Sequence, residues 1–520
     1  PTIAELVLML GVASELIAVP PNLIPADCRE LSPEMLPLVQ LEQHEIARIV
    51  AATPGGAANI QDIYPLAPLQ EGILFHHMMN TVGDAYLMPT MLEFDSRERI
   101  DSFLQALQLL TDRHDILRTA IMWEGLTQAV QVVLRTAVVV VENMTLNRLD
   151  GDIEEQLTQR HSPSHYRLDV RQAPMLRVFI AEDLANQRWL LQILSHHLID
   201  DHTTLELLMD EIQAVVQGRG DNLAPALPFR NFVAQARLGV PQAEHENFFT
   251  EMLGQIAQPT MPFGLQDVQG DGCAITEVHS DIEAQLSQRI RQQARVLGVS
   301  AASIMHLAWA QVLARTSGQQ DVVFGTVLVG RMQASEGEHR TMGMFMNTLP
   351  ICVPVSQRGV RESVRHVHTM LTGLLRHEHA PLALAQRCSQ IAPGTPLFSA
   401  LLNYRHSAAV PLNASDVWQG VKILSTQERT NYPLSMSVDD FGDAFSLTAH
   451  VIASVSAELI CAYMQTALER LVVALEKAPS TPASAIDILP AAQHQQLLVK
   501  WNDTDEQYPG PGIAQLFEAQ

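Results

Sequence analysis

Residues 188–218 read RWLLQILSHHLIDDHTTLELLMDEIQAVVQG, and the pattern changes period midway. Trp189 to Leu194 is a short apolar run of strand length, broken only by Gln192. From Leu205 onward the apolar residues Leu205, Leu208, Ile212 and Val215 recur at helical spacing. Asp201 and Thr203 stand where an N-cap is preferred. The stretch is therefore a strand, a turn and a helix, with Ser195-His196-His197 in the turn. A strand feeding directly into a helix points to an α/β architecture.

A turn of this kind holds a side chain rigidly while leaving one side open. Imidazole, with an ordinary pKa of about 6.5, can both take and return a proton near neutrality. A histidine general base for acyl transfer is one reading of the cluster. A second is a metal site, since His196, His197, Asp201 and His202 are ligand types. The metallohydrolase spacing HxHxDH fails, however, because Ile199 stands where a histidine is needed. The third reading is structural: two histidines satisfied within an α/β turn, with Asp201 fixing the backbone through a buried ion pair.

Outward from this point the chain keeps alternating. ERIDSFLQALQLLTDRHDILRT (98–119) has helical spacing, and AVVVVEN (137–143) reads as a short buried strand. A Pro-containing stretch, Leu223 to Pro228, separates this half from a second one. There, residues 285–318 give two helical runs, while DVVFGTVLVG (321–330) and FSLTAHVIAS (445–454) give strands. Five prolines, at 20, 21, 25, 33 and 37, mark a linker after an apolar, amphipathic opening helix, Ile3 to Val19. APSTPASAIDILPAAQ (478–493) reads as an exit linker. A chain beginning at Pro1 and stopping inside the helical GIAQLFEAQ has the look of a piece of a longer polypeptide.

Composition narrows the function. The 520 residues carry 33 Lys+Arg against 57 Asp+Glu, so the net charge is 33 − 57 = −24. That balance opposes binding to a phosphate backbone, and nucleic acid is not an expected partner. A 47% hydrophobic, 17% charged composition suits a globular chain with large cores. The five scattered cysteines include no CxxC pair, which fits a reducing, cytoplasmic setting. The opening segment lacks a basic n-region and an apolar run long enough to span a bilayer, so no membrane is expected. There is no GxxxxGK(S/T) loop, so nucleotide chemistry is not expected either.

His196-His197-Leu198-Ile199-Asp200-Asp201-His202 resembles HHxxxDG, the hallmark of the condensation domains of nonribosomal peptide synthetases, relatives of chloramphenicol acetyltransferase. His202 replaces the final glycine. In matching order, Arg113 to Thr119 is similar to RHExLRT, and Met342 to Thr348 to the GxFVNT stretch. The run from Phe324 to Val327 and on through Gly330-Arg331 also has a family look. The family's RDxSRNPL survives only as Pro396-Leu397, so its arginines do not carry over. The resemblance spans about residues 60 to 490. It implies an α/β fold of two chloramphenicol-acetyltransferase-like lobes, a V-shaped pseudo-dimer with a central tunnel. The expected division is a carrier-domain helix (1–19), a linker (20–59), an N-lobe (60–222), a C-lobe (223–490), and a linker with the start of an adenylation domain (491–520).

DIYPLAPLQEGILFHHMMNTVGDAYL (62–87) holds a second histidine pair, His76-His77, followed by Gly83-Asp84. Read alone, it is a helix with Leu74 and Met78 packed inward. It is also similar to HH(I/L)xxxxGD, the extra signature of dual condensation/epimerisation domains, with Met78 in the apolar position. The resemblance then implies that a carrier-bound donor residue is converted from L to D and joined to a downstream aminoacyl thioester. The alternative is a condensation-only domain that accepts a D-configured donor; a stand-alone epimerase and a catalytically silent recruiting platform are further rivals. The partners are an upstream donor and a downstream acceptor carrier domain, each bearing 4'-phosphopantetheine, and an adjoining adenylation domain; no cofactor or metal is bound by the domain itself. The candidate catalytic residues are His197, His196, His77 and His76, supported by Asp201, His202, Gly83, Asp84, Arg331 and Asn347, with Asn431-Tyr432 lining the tunnel. Asp201 is expected to be buried and paired to Arg331. His197 is expected to serve both reactions, and the His76 to Asp84 segment only epimerisation.

Overall fold

A computed structural model describes residues 18–268, 270, 275–330, 340–406, 420–426, 430–505, 510 and 512–520. The opening segment 1–17 and Arg331 lie outside the described residues. Three sheets carry the architecture. The first joins β1 (Ile60–Pro65), β4 (Val130–Leu134) and β3 (Thr119–Met122), in that order and all antiparallel. The second runs β12 (Val421–Thr426), β2 (Leu87–Phe94), β7 (Arg188–His196), β6 (Leu176–Asp183), β5 (Val140–Met144). The third runs β10 (Met346–Pro354), β9 (Asp321–Val329), β11 (Ala400–His406), β13 (Leu434–Asp440), β14 (Phe445–Ile452), β8 (Ile275–Asp281).

The second sheet positions the site. β7 is buried along nearly its whole length and pairs antiparallel with β2, setting Leu87 opposite His196. One more backbone bond, from His197 N to Tyr86 O at 2.9 Å, extends the ladder past the strand ends. The chain then turns into the helix His202–Val216, which Asp201 caps by accepting from Thr204 N at 2.8 Å. The strand-turn-helix reading of residues 188–218 is what the chain forms.

Each half has its own apolar core. In the second half, helix Ala301–Ser317 is buried on nearly every face, Trp309 included, between the six-stranded sheet and helix Ala457–Lys477. In the first, helices Arg97–Arg113 and His202–Val216 contribute to the core over β2, β6 and β7. The halves interpenetrate. β12, from beyond residue 420, pairs with β2 in the sheet of the first half, and Met342, Met344 and Phe345 bury themselves in that half's core. A boundary at residue 222 therefore does not separate two closed bodies.

Three local expectations need correction. Residues 20–59 were expected to be a linker, but helix Gln43–Ala52 with Ile24, Leu31, Ile46 and Ile49 packs on Ile60, Val130 and Val132. The proline-rich spacing suppressed helix at one end while leaving enough apolar residues to form a core. The stretch 478–493, expected as an exit linker, buries Ile486 and Ile488 in the second core. The run AVVVVEN is only partly strand and only partly buried: Val140–Asn143 enter the edge strand β5, Val139 and Val141 pack on the first core, and Val138 and Val140 are exposed. Among the described residues no single helix is long and apolar enough to cross a membrane.

Candidate active site

Between the halves lies a cavity of about 1020 Å³. The first half lines it with His76, Tyr86, His197 and His202, the second with His306, Asn347, Asn431 and Tyr432 among others. The two histidine pairs of the sequence thus meet at one chamber, but only one member of each pair faces it.

Helix Pro68–Met79 explains the first choice. Successive helical residues are turned by about 100°, so Gln70, Leu74 and His77 share the buried face while Leu69, Gly72 and His76 look into the cavity. His76 Nε2 lies 3.4 Å from Asn431 Nδ2, and Tyr86 Oη donates to Asn431 Oδ1 at 3.0 Å. Asn431 is in turn fixed by donating to Val268 O at 2.6 Å. Burial pushes the His76 imidazole below its ordinary pKa and the Tyr86 and Tyr432 phenols well above theirs. Of the residues expected to line the chamber, Asn431 and Tyr432 do so; the contribution of Tyr86 was not visible in the sequence.

In the second pair the strand end decides. His196 is the last residue of β7 and is fully buried, whereas His197, just past the strand end, is half-buried and reaches the cavity. His197 Nδ1 donates to Asp200 O at 2.9 Å. A carbonyl accepts only from N–H, so neutral His197 carries its proton on Nδ1 and keeps the Nε2 lone pair free. That is the tautomer a base at a cavity wall requires.

Behind the wall, His77, Asp84 and His196 form a buried cluster. Asp84 Oδ2 lies 2.6 Å from His77 Nδ1 and 3.1 Å from His196 Nε2. Burial alone would raise the pKa of Asp84, but the bonds from His196 and His77 outweigh it and hold the carboxyl well below its usual range. For His196 burial dominates and lowers the pKa, so it is neutral beside an ionised carboxylate. These three are also the described residues closest to a metal-ligand set. Two tetrahedral ligands about 2.0–2.1 Å from a zinc ion stand roughly 3.3 Å apart; the 2.6 Å separation of His77 and Asp84 is that of a hydrogen bond.

The loop bearing Gly83 and Asp84 is clamped by its neighbours. Asp84 N donates to Pro163 O at 2.7 Å, and Arg167 donates to the backbone oxygens of His77, Asn80 and Gly83. Gly83 has φ +70°, and a Cβ there would come within 2.5 Å of Ser164 O. Nothing in the sequence flagged Arg167, which sits 83 residues beyond the aspartate it serves.

The supporting residues fall as follows. Asp201 is buried, as expected; besides capping its helix, it accepts from Phe345 N at 3.2 Å, tying the two halves together. Thr204 reinforces the tie through both backbone atoms of Gly343. The expected partner Arg331 lies outside the described residues. His202, in the family's glycine position, opens the helix without positive φ and faces Glu206 at 3.3 Å. Asn347 reaches the cavity, but its Nδ2 is committed to Glu378 O and Ala380 O at 2.7 and 2.8 Å.

The condensation-domain family profile matches residues 60–498. Malpinin synthetase of Mortierella alpina is 50% identical over 521 residues, covering 100% of this chain and 7% of its own length. Malpibaldin synthetase of the same organism is 49% identical over 502 residues, covering 96% of this chain and 9% of its own length. The chain therefore spans less than a tenth of these relatives. Among solved structures, a four-domain nonribosomal peptide synthetase bound to AMP and glycine superposes with a TM-score of 0.68 at 13% identity, over 84% of this chain and 34% of that one. The condensation domain of the Monacolin K polyketide synthase MokA superposes with a TM-score of 0.61 at 18% identity, over 82% of this chain and 99% of that one. With this match over most of its length, a mixed α/β fold shared with those structures and the HHxxxD histidine at the wall of the central cavity, the chain belongs to the condensation-domain family of the nonribosomal peptide synthetases.

Proposed function

We propose that this chain is a dual condensation/epimerisation domain: it converts a carrier-bound donor residue from L to D and then joins it to a downstream aminoacyl thioester. The observation that carries the reading is the convergence of His76 and His197 on one cavity, with His77 and His196 sharing one carboxylate behind them. A condensation-only domain has no evident need for a second histidine, His76, at the cavity wall beside His197.

In condensation, the acceptor amine attacks the donor thioester carbonyl; the C–N bond forms, the C–S bond breaks, and the thiolate leaves with a proton. His197 Nε2, with its lone pair free, takes the amine proton and returns it to sulfur. Holding both tethered thioesters in one chamber makes the encounter effectively unimolecular, itself a large contribution to rate. The phosphopantetheine arms that deliver them belong to donor and acceptor carrier domains, and an adenylation domain adjoins on the far side. We read segments 1–19 and 491–520 as belonging to the carrier side and the adenylation side of the domain.

Epimerisation needs a base on one face of the α-carbon and a proton source on the other. His197 is one station, and His76, steadied by Asn431, is the other. One removes the α-proton to give an enolate; the other delivers a proton to the opposite face.

The test loads an upstream carrier with an L-donor thioester and incubates it with the chain in deuterated buffer. Chiral chromatography and mass spectrometry then read configuration and α-deuterium, before an acceptor-loaded carrier is added. Deuterium in a D-configured donor, followed by a D-L amide, is expected. Amide formation only from a D-donor, without exchange, leaves a condensation-only domain.

A further inference from the structure

We infer that Asp84 is a positioning residue for both reactions, fixing the His196-His197 dipeptide by side chain and backbone together, so that the extra motif is part of the condensation machinery. The inference rests on the reading of His197 as the base. It departs from the expectation that the His76 to Asp84 segment serves epimerisation alone.

Two routes run from this one carboxylate to His197. Along the first, Asp84 Oδ2 accepts from His196 Nε2 at 3.1 Å, while His196 Nδ1 accepts from Leu198 N at 3.1 Å. An imidazole nitrogen that accepts from a peptide N–H bears no proton, so His196 is held with its proton on Nε2. Its ring thereby bridges Asp84 to the residue just after His197. Along the second, Asp84 Oδ1 accepts from Tyr86 N at 3.0 Å, and Tyr86 O accepts from His197 N at 2.9 Å. The backbone on both sides of His197 is thus referred to the same buried group, with Asp84 at 2% and His196 at 0% exposure.

The third donor is His77 Nδ1 at 2.6 Å. Three N–H groups therefore converge on two oxygens, and only an ionised carboxylate accepts from all of them. An asparagine would present one oxygen and one NH2, so in either orientation an N–H would face an N–H. His196 could escape only by moving its proton to Nδ1, against the Leu198 amide. Substitution of nearly equal volume should therefore act through tautomer and placement.

The experiment compares Asp84→Asn with the unchanged chain in two assays: amide formation from a ready-made D-donor carrier and an acceptor carrier, and α-deuterium uptake from an L-donor carrier. By analogy with loss of the carboxylate that fixes a catalytic histidine's tautomer, kcat should fall about 100-fold in both assays, with KM for the donor carrier changed by less than about twofold. Nitrogen-15 spectra of the imidazoles should show His196 leaving its single Nε2–H form. Full D-donor condensation in Asp84→Asn overturns the inference, whatever happens to exchange. If the unchanged chain shows no exchange, the epimerase reading fails, while the D-donor assay still decides the role of Asp84. Should Asp84→Asn fail to fold, His77→Leu and His77→Asn take its place, because an asparagine amide mimics the Nδ1 donor. His77→Leu should lower both activities and His77→Asn should recover at least about tenfold of each; loss of exchange alone in His77→Leu overturns the coupling.

Discussion

The two histidine pairs look alike in sequence and are used in mirror fashion. On helix Pro68–Met79 the first member, His76, faces the cavity and the second is buried; at the end of β7 the first member, His196, is buried and the second faces the cavity. Helical rotation separates one pair, and the point where a ladder ends separates the other. In both cases the buried histidine bonds Asp84 and the cavity histidine is left for chemistry. Each tandem pair of this chain therefore presents one histidine to the cavity and ties the other to Asp84, and the backbone beneath it decides which is which.

The comparison breaks most severely if Asp84 loses its place. Gly83→Ala puts a Cβ within 2.5 Å of Ser164 O and 2.7 Å of Pro163 O at φ +70°, and both obstacles are backbone atoms. Strain plus clash should cost about 4 kcal/mol, read as a lower denaturant midpoint with loss of both activities. An unaltered midpoint would mean that the loop can shift, and that Asp84 is held by something other than this turn.

The next largest effect separates the two members of the first pair. Removing a general acid or base costs about 100-fold or more. His76→Ala should lower deuterium exchange by about that factor while D-donor condensation falls far less, so the ratio of the two activities collapses. His77→Ala should lower both together and preserve the ratio. The same ratio in the two variants would end the distinction between working group and anchor.

How much of this was legible follows from which contacts are local. The turn at 195–201 was readable because strand length, histidine pair and helix cap sit within a few residues, and Asp201 caps as its type predicts. Family motifs located both pairs and the Gly83-Asp84 step. The meeting of the pairs on one carboxylate was not readable. It depends on β2 and β7 lying side by side with Leu87 opposite His196, a register set by pairing over more than a hundred residues. The same holds for β12 crossing into the first half's sheet, and for Ile46 and Ile49 burying a segment whose prolines suggested a linker. Tyr86 and Asn431, 345 residues apart in sequence, meet at the cavity wall, a pairing that no local motif could show.

The smallest predicted effect concerns a histidine on the opposite wall, which sharpens the contrast between working and buried imidazoles. His306 donates from Nδ1 to Ala302 O at 2.7 Å and accepts at Nε2 from Thr326 Oγ1 at 2.8 Å, so both nitrogens are occupied in the neutral form. Burial pushes its pKa down to about 4, from an ordinary 6.5. Below pH 6.5 the unfolded chain therefore binds a proton that the folded chain refuses. The neutral site's stability is fully present above that pH and is lost as pH falls from 6.5 towards 4. By pH 5 the linkage amounts to about 2 kcal/mol. His377 and His379, also pushed down to about 4, add to the acid sensitivity of the whole chain. The difference between variants isolates the one residue. His306→Asn keeps a donor near the Nδ1 position and cannot titrate, so urea unfolding at pH 7 and pH 5 should show a stability loss smaller by about 2 kcal/mol than in the unchanged chain. Equal losses would mean that His306 is protonated in the folded state at pH 5. It would then belong with His76 and His197, the histidines proposed to exchange protons, and not with the buried ones that hold the walls.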